Sequence, residues 1–370
     1  MKRASQGRQA EIPTVNSFRP EPSAPSLPLV TVLLPAYNAS RTLEAALNSL
    51  FTQCPAKDAP LPPFEILAVD DGSTDGTAAL LRQLALSPLA QGRLRILHVE
   101  HGGIAPALNA GLAAACGSLI ARMDADDTAH PQRLALQAAH LWNNPELDLS
   151  AGLAVFGGDR RLAHGFACFV DWQNSLRTHE QISHGRFRDT PVCHPCVMFR
   201  REAVEKWGAY ADGDFAEDWE LWLRWLHMGA RMEKLPHELL IWNDAPTRAT
   251  RADSRYAADA CDRLRALWLA RHLERHNPFH PVVWVVGGGR MARRRLAPLW
   301  KLGIRPAAYI DIDPKKIGNV VAGIPVRGRN ALPGPDACRV LNALTAHGAA
   351  EEAADWLGSR GFCQGQWILV

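Results

Sequence analysis

Residues 118–127 of this chain read Ser-Leu-Ile-Ala-Arg-Met-Asp-Ala-Asp-Asp, an apolar run that leads directly into three carboxylates, Asp124, Asp126 and Asp127. A strand that ends in three negative charges is destabilising unless a positive group lies there, because close carboxylates raise one another's pKa values. Oxygen-rich clusters of this kind suit a hard divalent ion such as Mg²⁺ or Mn²⁺, which also binds substrate phosphates. A solvated acidic turn is the alternative interpretation, and the stretch alone does not decide between them.

The preceding segments repeat the pattern of an apolar strand, a polar turn and a helix. Apolar runs at residues 30–34 and 64–68 each lead into a polar turn and then into leucines at helical spacing. A third apolar run at residues 94–97 precedes a small-residue helix over residues 105–115. Such alternation is typical of α/β proteins with a mostly parallel sheet, whose ligands bind at the carboxyl ends of the strands. We therefore expect the polar strand ends to converge on one edge of the sheet.

Seven short motifs over about residues 28–245 resemble, in order and spacing, those of the inverting family 2 glycosyltransferases. They are Pro-Ala-Tyr-Asn at 35–38, Val-Asp-Asp-Gly-Ser-Thr-Asp at 69–75, Ala-Leu-Asn-Ala-Gly at 107–111, Ala-Arg-Met-Asp-Ala-Asp-Asp at 121–127, Pro-Gln-Arg-Leu at 131–134, His-Pro-Cys-Val-Met-Phe-Arg-Arg at 194–201 and Ala-Glu-Asp-Trp-Glu-Leu-Trp-Leu-Arg at 216–224. Each motif is weak alone, and the set in order is specific. The resemblance implies the GT-A fold, with a mostly parallel central sheet flanked by helices. It also implies a hexosyltransferase that moves a sugar, with inversion, from a nucleotide-diphosphate donor to a hydroxyl acceptor.

The resemblance assigns roles to the carboxylates. Asp126 is expected to carry the metal, Mn²⁺ or Mg²⁺, and Asp124 to contact the ribose or the donor sugar. Asp127 is expected either to contact the donor sugar or to support the metal-binding residues. The family's base comes from a Glu-Asp pair; here we expect Asp218 to be the base and Glu217 to bind substrate. A carboxylate can serve as base if it lies within hydrogen-bond reach of the attacking hydroxyl. The alternative for this pair is an ordinary helix with an acidic first turn, which is favourable against the helix dipole.

Nucleotide recognition is expected at the ends of the first two strands, from Pro35, Tyr37 and Asp71. Tyr37 offers an aromatic face to a planar base, and Asp71 can accept a hydrogen bond from a base N–H. The competing interpretations are half-buried packing for Tyr37 and a turn cap for Asp71. Three arginines are candidates for neutralising the diphosphate, and the sequence does not choose among them: Arg122, Arg200 and Arg201.

The composition is typical of a globular enzyme. Hydrophobic residues make up 47% of the 370 residues, which is ample for buried cores. The formal charge of +3 is too small to argue for a nucleic acid partner. No apolar stretch approaches a membrane span, so we expect a cytoplasmic enzyme. A glycan or lipid-linked acceptor is expected, and the latter would hold the enzyme peripherally at the inner face of a membrane. The sequence leaves the oligomeric state open.

Four regions are predicted along the chain. Residues 1–28 are expected to be a disordered tail, residues 29–245 the GT-A domain, residues 246–280 a helical linker and residues 281–370 a small Rossmann-like α/β domain. The last region resembles the N-terminal domain of sugar acyltransferases, with a Gly-Gly-Gly-Arg turn at 287–290 after an apolar strand. Its G-x-G-x-x-G pattern is broken at Ala292. A scaffolding or oligomerising role is therefore favoured over ligand binding.

Two other functions stay open at this point. One is a nucleotide-sugar-binding protein that has lost catalysis, which the intact Asp126 and Asp218 argue against. The other is an oxidoreductase that uses the C-terminal glycine turn. The pair Cys193 and Cys196 has redox or zinc spacing, but no second ligand pair accompanies it, so a packing role is favoured. In residues 150–190, Phe-Gly-Gly-Asp at 156–159 and Trp-Gln-Asn at 172–174 alternate with polar turns, as expected of an acceptor-binding insertion.

Overall fold

The computed structural model describes residues 29–244, 251, 253–345 and 348–370. The predicted tail over residues 1–28 and part of the predicted linker lie outside the described residues. Within them, the chain forms two β-sheets, each flanked by helices.

The first sheet contains eight strands in the order β3-β2-β1-β4-β7-β6-β8-β5. Strands β1 to β4 run parallel, as do β6 and β8, whereas β7 is antiparallel to both of its neighbours and β5 is antiparallel to β8. The predicted α/β fold with a mostly parallel sheet is therefore confirmed. The elements of this part are β1 (Val30–Ala36), α1 (Leu43–Phe51), β2 (Phe64–Asp71), α2 (Thr77–Ala85), β3 (Leu94–Val99), α3 (Ile104–Ala114), β4 (Leu119–Arg122), β5 (Thr128–Ala129), α4 (Arg133–Asn143), β6 (Leu149–Phe156), α5 (His164–Ser175), α6 (His179–Gly185), β7 (Val197–Arg200), α7 (Arg201–Trp207), α8 (Glu217–Met228) and β8 (Met232–Trp242).

The apolar strands form two cores, one on each face of this sheet. Successive side chains of a strand point to opposite faces, and in β1 Val32 and Leu34 join one hydrophobic cluster while Leu33 joins the other. Burial on both faces explains why these strands are continuous apolar runs rather than alternating ones. The polar residues at the carboxyl ends of β2 and β4, namely Asp70, Asp71 and Arg122, lie where the site forms.

Residues 150–190 contain regular elements, and the role of this region in acceptor binding stays a prediction. Residues 172–174 lie within α5, and the strand β6 precedes this helix. The side chain of Asn174 accepts from the backbone N–H of Ala154 and donates to its carbonyl. Asn174, a residue type common in turns, therefore fastens α5 to β6. Its side chain supplies hydrogen bonds to Ala154 that β6 does not receive there from a neighbouring strand.

The second sheet has the order β11-β12-β10-β9-β13-β14 and is parallel except for the β11–β12 pair. A second α/β unit is thus present, as predicted. Its resemblance to acyltransferase domains stays a prediction. The elements of this part are α9 (Ala258–His276), β9 (Val282–Val286), α10 (Arg290–Lys301), β10 (Arg305–Ile310), β11 (Val320–Val321), β12 (Ile324–Arg327), β13 (Val340–Asn342), α11 (Ala349–Ser359) and β14 (Trp367–Leu369).

The two parts of the chain share a hydrophobic cluster. Trp219 and Leu223 of α8 belong to the same buried cluster as Leu264 and Leu269 of α9 and Val283 of β9. Helix α8 carries the predicted base at its first turn. The C-terminal region therefore packs against the helix that carries the predicted base, and its scaffolding role stays a prediction.

Candidate active site

The acidic turn after β4 brings three carboxylates together. One oxygen each of Asp124, Asp126 and Asp127 lies within 4.8 Å of the others. Asn243, just after β8, fixes this turn: its backbone N–H donates to Asp127 Oδ1 at 3.0 Å, and its Nδ2 donates to the Asp126 carbonyl at 2.9 Å. Closely spaced hard oxygen ligands are the donor set that Mg²⁺ and Mn²⁺ prefer. The residues present therefore fit a divalent ion.

A buried arginine compensates part of this negative charge. Arg122, at the end of β4, is 2% exposed, and its Nη1 lies 2.5 Å from Asp124 Oδ1. Although burial opposes the charge, the carboxylates of Asp124 and Glu217 help to raise the pKa of Arg122, so its positive charge is permanent. Of the three candidate arginines, this one lies at the acidic strand end.

The other two arginines lie at the opposite edge of the sheet. Because β7 is antiparallel to β4, Arg200 pairs with Leu119 at the start of that strand. Its guanidinium donates to the Leu147 carbonyl at 2.8 Å. The backbone N–H of Arg201 likewise donates to the Ser118 carbonyl at 2.9 Å. The antiparallel direction of β7 thus places Arg200 and Arg201 away from the acidic edge.

The Glu217–Asp218 pair begins α8, as predicted. Glu217 is 2% exposed and accepts a hydrogen bond at 2.8 Å from the hydroxyl of Tyr256. Asp218 is partly exposed, and its Oδ1 accepts from the Trp219 N–H at 2.7 Å. Burial raises the pKa of both carboxyls, and the charge of Glu217 raises the pKa of Asp218 further. Asp218 therefore has a higher proton affinity than an ordinary aspartate.

The acidic turn and this pair face one pocket with a volume of about 300 Å³. Asp124, Asp126, Glu217 and Asp218 all contribute to its wall. The structure therefore brings together four of the predicted site residues from β4 and α8. The remaining wall is mainly apolar, and its side chains include Phe166, Phe169, Val170, Val192, Cys193, Trp219 and Trp242.

The predicted nucleotide-binding residues lie at the neighbouring strand ends, outside this wall. Tyr37 is 46% exposed and stacks on His101, with ring centroids 4.0 Å apart. Asp71 is 3% exposed, and its carboxylate accepts from the backbone N–H groups of Gly102 and Gly103 and contacts His101 Nδ1 at 2.9 Å. Asp71 thus caps a turn in this structure. Its contact with a base stays a prediction, as does that of Tyr37.

Pro35 is buried within β1 and pairs with Val69 of β2, and its role in binding stays a prediction. The turn beside it requires a glycine. Gly72 has a φ of +66°, and a Cβ there would lie 2.8 Å from the backbone nitrogen of His101. Glycine adopts this conformation without a steric penalty, which lets the two turns approach each other.

The sequence patterns did not identify three residues of this region. His101 follows β3, so the rule that polar strand ends converge would have found it. Tyr256 and Asp189 carry no such signal, because each reaches the site from a segment far along the chain. Tyr256 lies just before α9, and Asp189 lies in the loop after α6.

Comparison with known proteins supports the resemblance seen in the sequence. The sequence model of glycosyl transferase family 2 matches residues 31–208. The amylovoran biosynthesis glycosyltransferase AmsE of Erwinia amylovora is 31% identical over 217 residues, which cover 57% of this chain and 75% of that protein. The chain belongs to glycosyltransferase family 2. The predicted glycosyltransferase is therefore confirmed.

One further relative and one solved structure are similar to this chain. The putative glycosyltransferase EpsE of Bacillus subtilis is 29% identical over 249 residues, 64% of this chain and 84% of that protein. The crystal structure of S. aureus TarS residues 1–349 in complex with UDP-GlcNAc superposes with a TM-score of 0.50 at 19% identity, over 68% of this chain and 74% of that one. This likeness confirms the GT-A fold. Within the described residues, no helix has the length and apolar character that crossing a membrane requires.

Proposed function

We propose that this family 2 enzyme is a metal-dependent, inverting glycosyltransferase. It moves a sugar from a nucleotide-diphosphate donor to a hydroxyl of a glycan or lipid-linked acceptor. The observation that carries the proposal is that Asp124 and Asp126, at the end of β4, and Asp218, at the start of α8, line one pocket. A role in polysaccharide synthesis is supported by the name of AmsE, an amylovoran biosynthesis enzyme.

Asp218 is the proton acceptor in this proposal. The oxygen of the acceptor hydroxyl attacks the anomeric carbon, the bond from that carbon to the diphosphate breaks, and the hydroxyl proton moves to the Asp218 carboxylate. A single displacement of this kind inverts the anomeric centre. Because burial and Glu217 raise the pKa of Asp218, its ionised form accepts a proton more readily than an ordinary aspartate would.

The acidic turn serves the donor. Asp126, with Asp124 or Asp127, would hold Mn²⁺ or Mg²⁺, and such an ion stabilises the negative charge of a departing diphosphate. Arg122 keeps Asp124 oriented through their 2.5 Å ion pair. Tyr37 and Asp71, at the neighbouring strand ends, would receive the nucleotide, with the exposed ring of Tyr37 stacking against the base.

A donor screen tests the proposal. The chain is incubated with UDP-, GDP- and dTDP-sugars in Mn²⁺ and in EDTA, and release of the nucleoside diphosphate is measured. We expect release from one nucleotide class in Mn²⁺ and none in EDTA. Equal release in both media would remove the metal from the proposal. Turnover of NAD(P)H without any donor hydrolysis would instead favour the oxidoreductase alternative.

A further inference from the structure

The wall of the active-site pocket contains two polar groups with unused hydrogen-bonding capacity. Asp189 and Thr190 lie in the loop after α6, and both line the pocket that contains Asp218. One oxygen of Asp189 accepts from the backbone N–H of Thr190 at 2.8 Å, and its other oxygen has no hydrogen-bond partner among the described residues. The buried Oγ1 of Thr190 likewise has none there. A buried hydroxyl left in this state is destabilising unless a ligand satisfies it, and the second oxygen of the partly exposed Asp189 can accept a further hydrogen bond.

The loop that carries them is held rigidly from both sides. Arg265 of α9 donates through Nε to the Phe187 carbonyl at 2.7 Å. Gln173 of α5 donates through Nε2 to the Thr190 carbonyl at 3.0 Å. Gln173 is 2% exposed and Arg265 is 3% exposed, so both bonds are shielded from water. A polar pair fixed in this way is preorganised, which lowers the entropic cost of binding a ligand.

The charges of the pocket select the kind of ligand. Asp189, Glu217 and Asp218 lie in one wall, and the charge of Asp189 contributes to the raised pKa of Asp218. Among the described residues, Arg122 is the only arginine or lysine in the lining, and it is already paired with Asp124. Burial raises the pKa of Asp189, and Arg188, Arg265 and Arg295 lie close enough to oppose that shift, but none of them lines the pocket. Apart from the ion proposed at Asp126, a phosphate entering on this side would therefore meet the three carboxylates first, which is unfavourable in a partly buried site. A neutral group that donates hydrogen bonds would be favoured.

The apolar part of the same wall fits a sugar ring. Phe169 and Val170 of α5 border the pocket beside Asp189 and Thr190. A pyranose has one face of C–H groups and a rim of hydroxyls, so it can pack on Phe169 and donate to Asp189 at the same time. An unsubstituted lipid phosphate offers neither feature.

We propose that Asp189 and Thr190 bind the acceptor, and that the accepting unit is a neutral saccharide with a second free hydroxyl beside the attacking one. The hydroxyl that reacts lies at Asp218, and its neighbour donates to Asp189. The acceptor is therefore a sugar rather than the phosphate of a polyprenyl phosphate. This inference rests on the proposed function, because it takes Asp218 as the base.

Acceptor kinetics test the inference. With the donor identified in the screen, initial rates are measured against methyl glycosides of hexoses and N-acetylhexosamines and against a polyprenyl phosphate in detergent. The variants are Asp189→Asn and Thr190→Val, with Asp171→Asn as the matched control, since Asp171 is an exposed carboxylate of α5 that pairs with Arg160. Nucleotide binding in Mn²⁺ reports whether each variant is folded.

We expect one class of methyl glycoside to be used and the polyprenyl phosphate to be inert. In Asp189→Asn the acceptor KM should rise about tenfold or more, the range expected for one hydrogen bond to a charged group. In Thr190→Val the acceptor KM should rise less, and in both variants the nucleotide Kd in Mn²⁺ should match that of the Asp171→Asn control, because the nucleotide binds at the acidic turn. A deoxy acceptor that lacks the neighbouring hydroxyl should lose less affinity in Asp189→Asn than in the unmodified chain, because the asparagine oxygen accepts a weaker, uncharged hydrogen bond.

An unchanged acceptor KM in a folded Asp189→Asn variant would overturn the inference. Preference for the polyprenyl phosphate would also overturn it, and both results would leave the proposed function standing. Absence of metal-dependent donor hydrolysis in the unmodified chain would overturn the proposed function itself. The two failures are therefore distinguishable.

Discussion

Asp218→Asn is expected to remove proton acceptance while the fold is kept. Asparagine has nearly the same volume, and its Oδ1 can retain the hydrogen bond that Trp219 N–H donates at 2.7 Å. Loss of a general base lowers the rate by about 10²–10⁴-fold, or about 3–5 kcal/mol in the activation free energy. Donor affinity should not change, because Asp218 contacts the acceptor side of the reaction.

The same variant is expected to be more stable than the unmodified chain at mildly alkaline pH. Burial raises the folded-state pKa of Asp218 above its unfolded value. The folded state therefore loses stability as the pH rises from the unfolded pKa to the folded pKa. Each unit of pKa shift corresponds to about 1.4 kcal/mol. If Asp218→Asn removes a destabilisation equal to one unit of pKa shift, Tm should rise by about 3–6 °C in a domain of this size. Activity and stability should therefore change in opposite directions.

The assay combines nucleoside diphosphate release in the presence of acceptor with thermal unfolding of the same samples. Glu217→Gln is the matched control, since glutamine can still accept the hydrogen bond from Tyr256. Near-normal transfer by Asp218→Asn would refute the assignment of the base. If Glu217→Gln alone lost transfer, the base would be Glu217.

Three further outcomes follow from the same contacts. Transfer should fall as the pH drops through the raised pKa of Asp218, because only the ionised carboxylate accepts a proton; a rate that stays flat down to the ordinary aspartate range would argue against this base. Gly72→Ala should destabilise the chain and weaken nucleotide binding, because a Cβ would lie 2.8 Å from the His101 nitrogen at a φ of +66°; calorimetry with UDP and GDP and a melting curve measure both effects, and native values would show that the turn relaxes freely. Tyr256→Phe removes the hydroxyl that stabilises ionised Glu217, so the variant should lose more stability at alkaline than at acidic pH; equal losses would mean that the protonation of Glu217 does not change between the two media.

The strands and the acidic edge could be predicted from the sequence because they depend on local patterns. Apolar runs that lead into Asp71 and Asp124 mark strand ends, and parallel strands bring such ends to one edge. The first turn of α8 was predicted on the resemblance to the family. The structure confirms these elements and brings Asp218 to the pocket that Asp126 lines.

The acceptor side could not be predicted in the same way. Asp189 and Tyr256 reach the pocket through the packing of α8 against α9, and no periodicity in the sequence encodes that contact. The choice of Arg122 over Arg200 depended on the antiparallel direction of β7. An apolar sequence pattern shows that a strand exists but does not show its direction within a mixed sheet. For that reason it left the three arginines undecided.

The most direct test of the central claim is the calorimetric affinity of the donor's nucleoside diphosphate, measured with Mn²⁺ and with EDTA. It compares the unmodified chain with Asp126→Ala and, as a control away from the acidic turn, Asp171→Asn. We predict that Mn²⁺ tightens binding in the unmodified chain and in the control, and that Asp126→Ala removes this gain. Equal affinity in Mn²⁺ and EDTA for the unmodified chain, or a full metal effect in Asp126→Ala, would contradict a donor site built on this carboxylate.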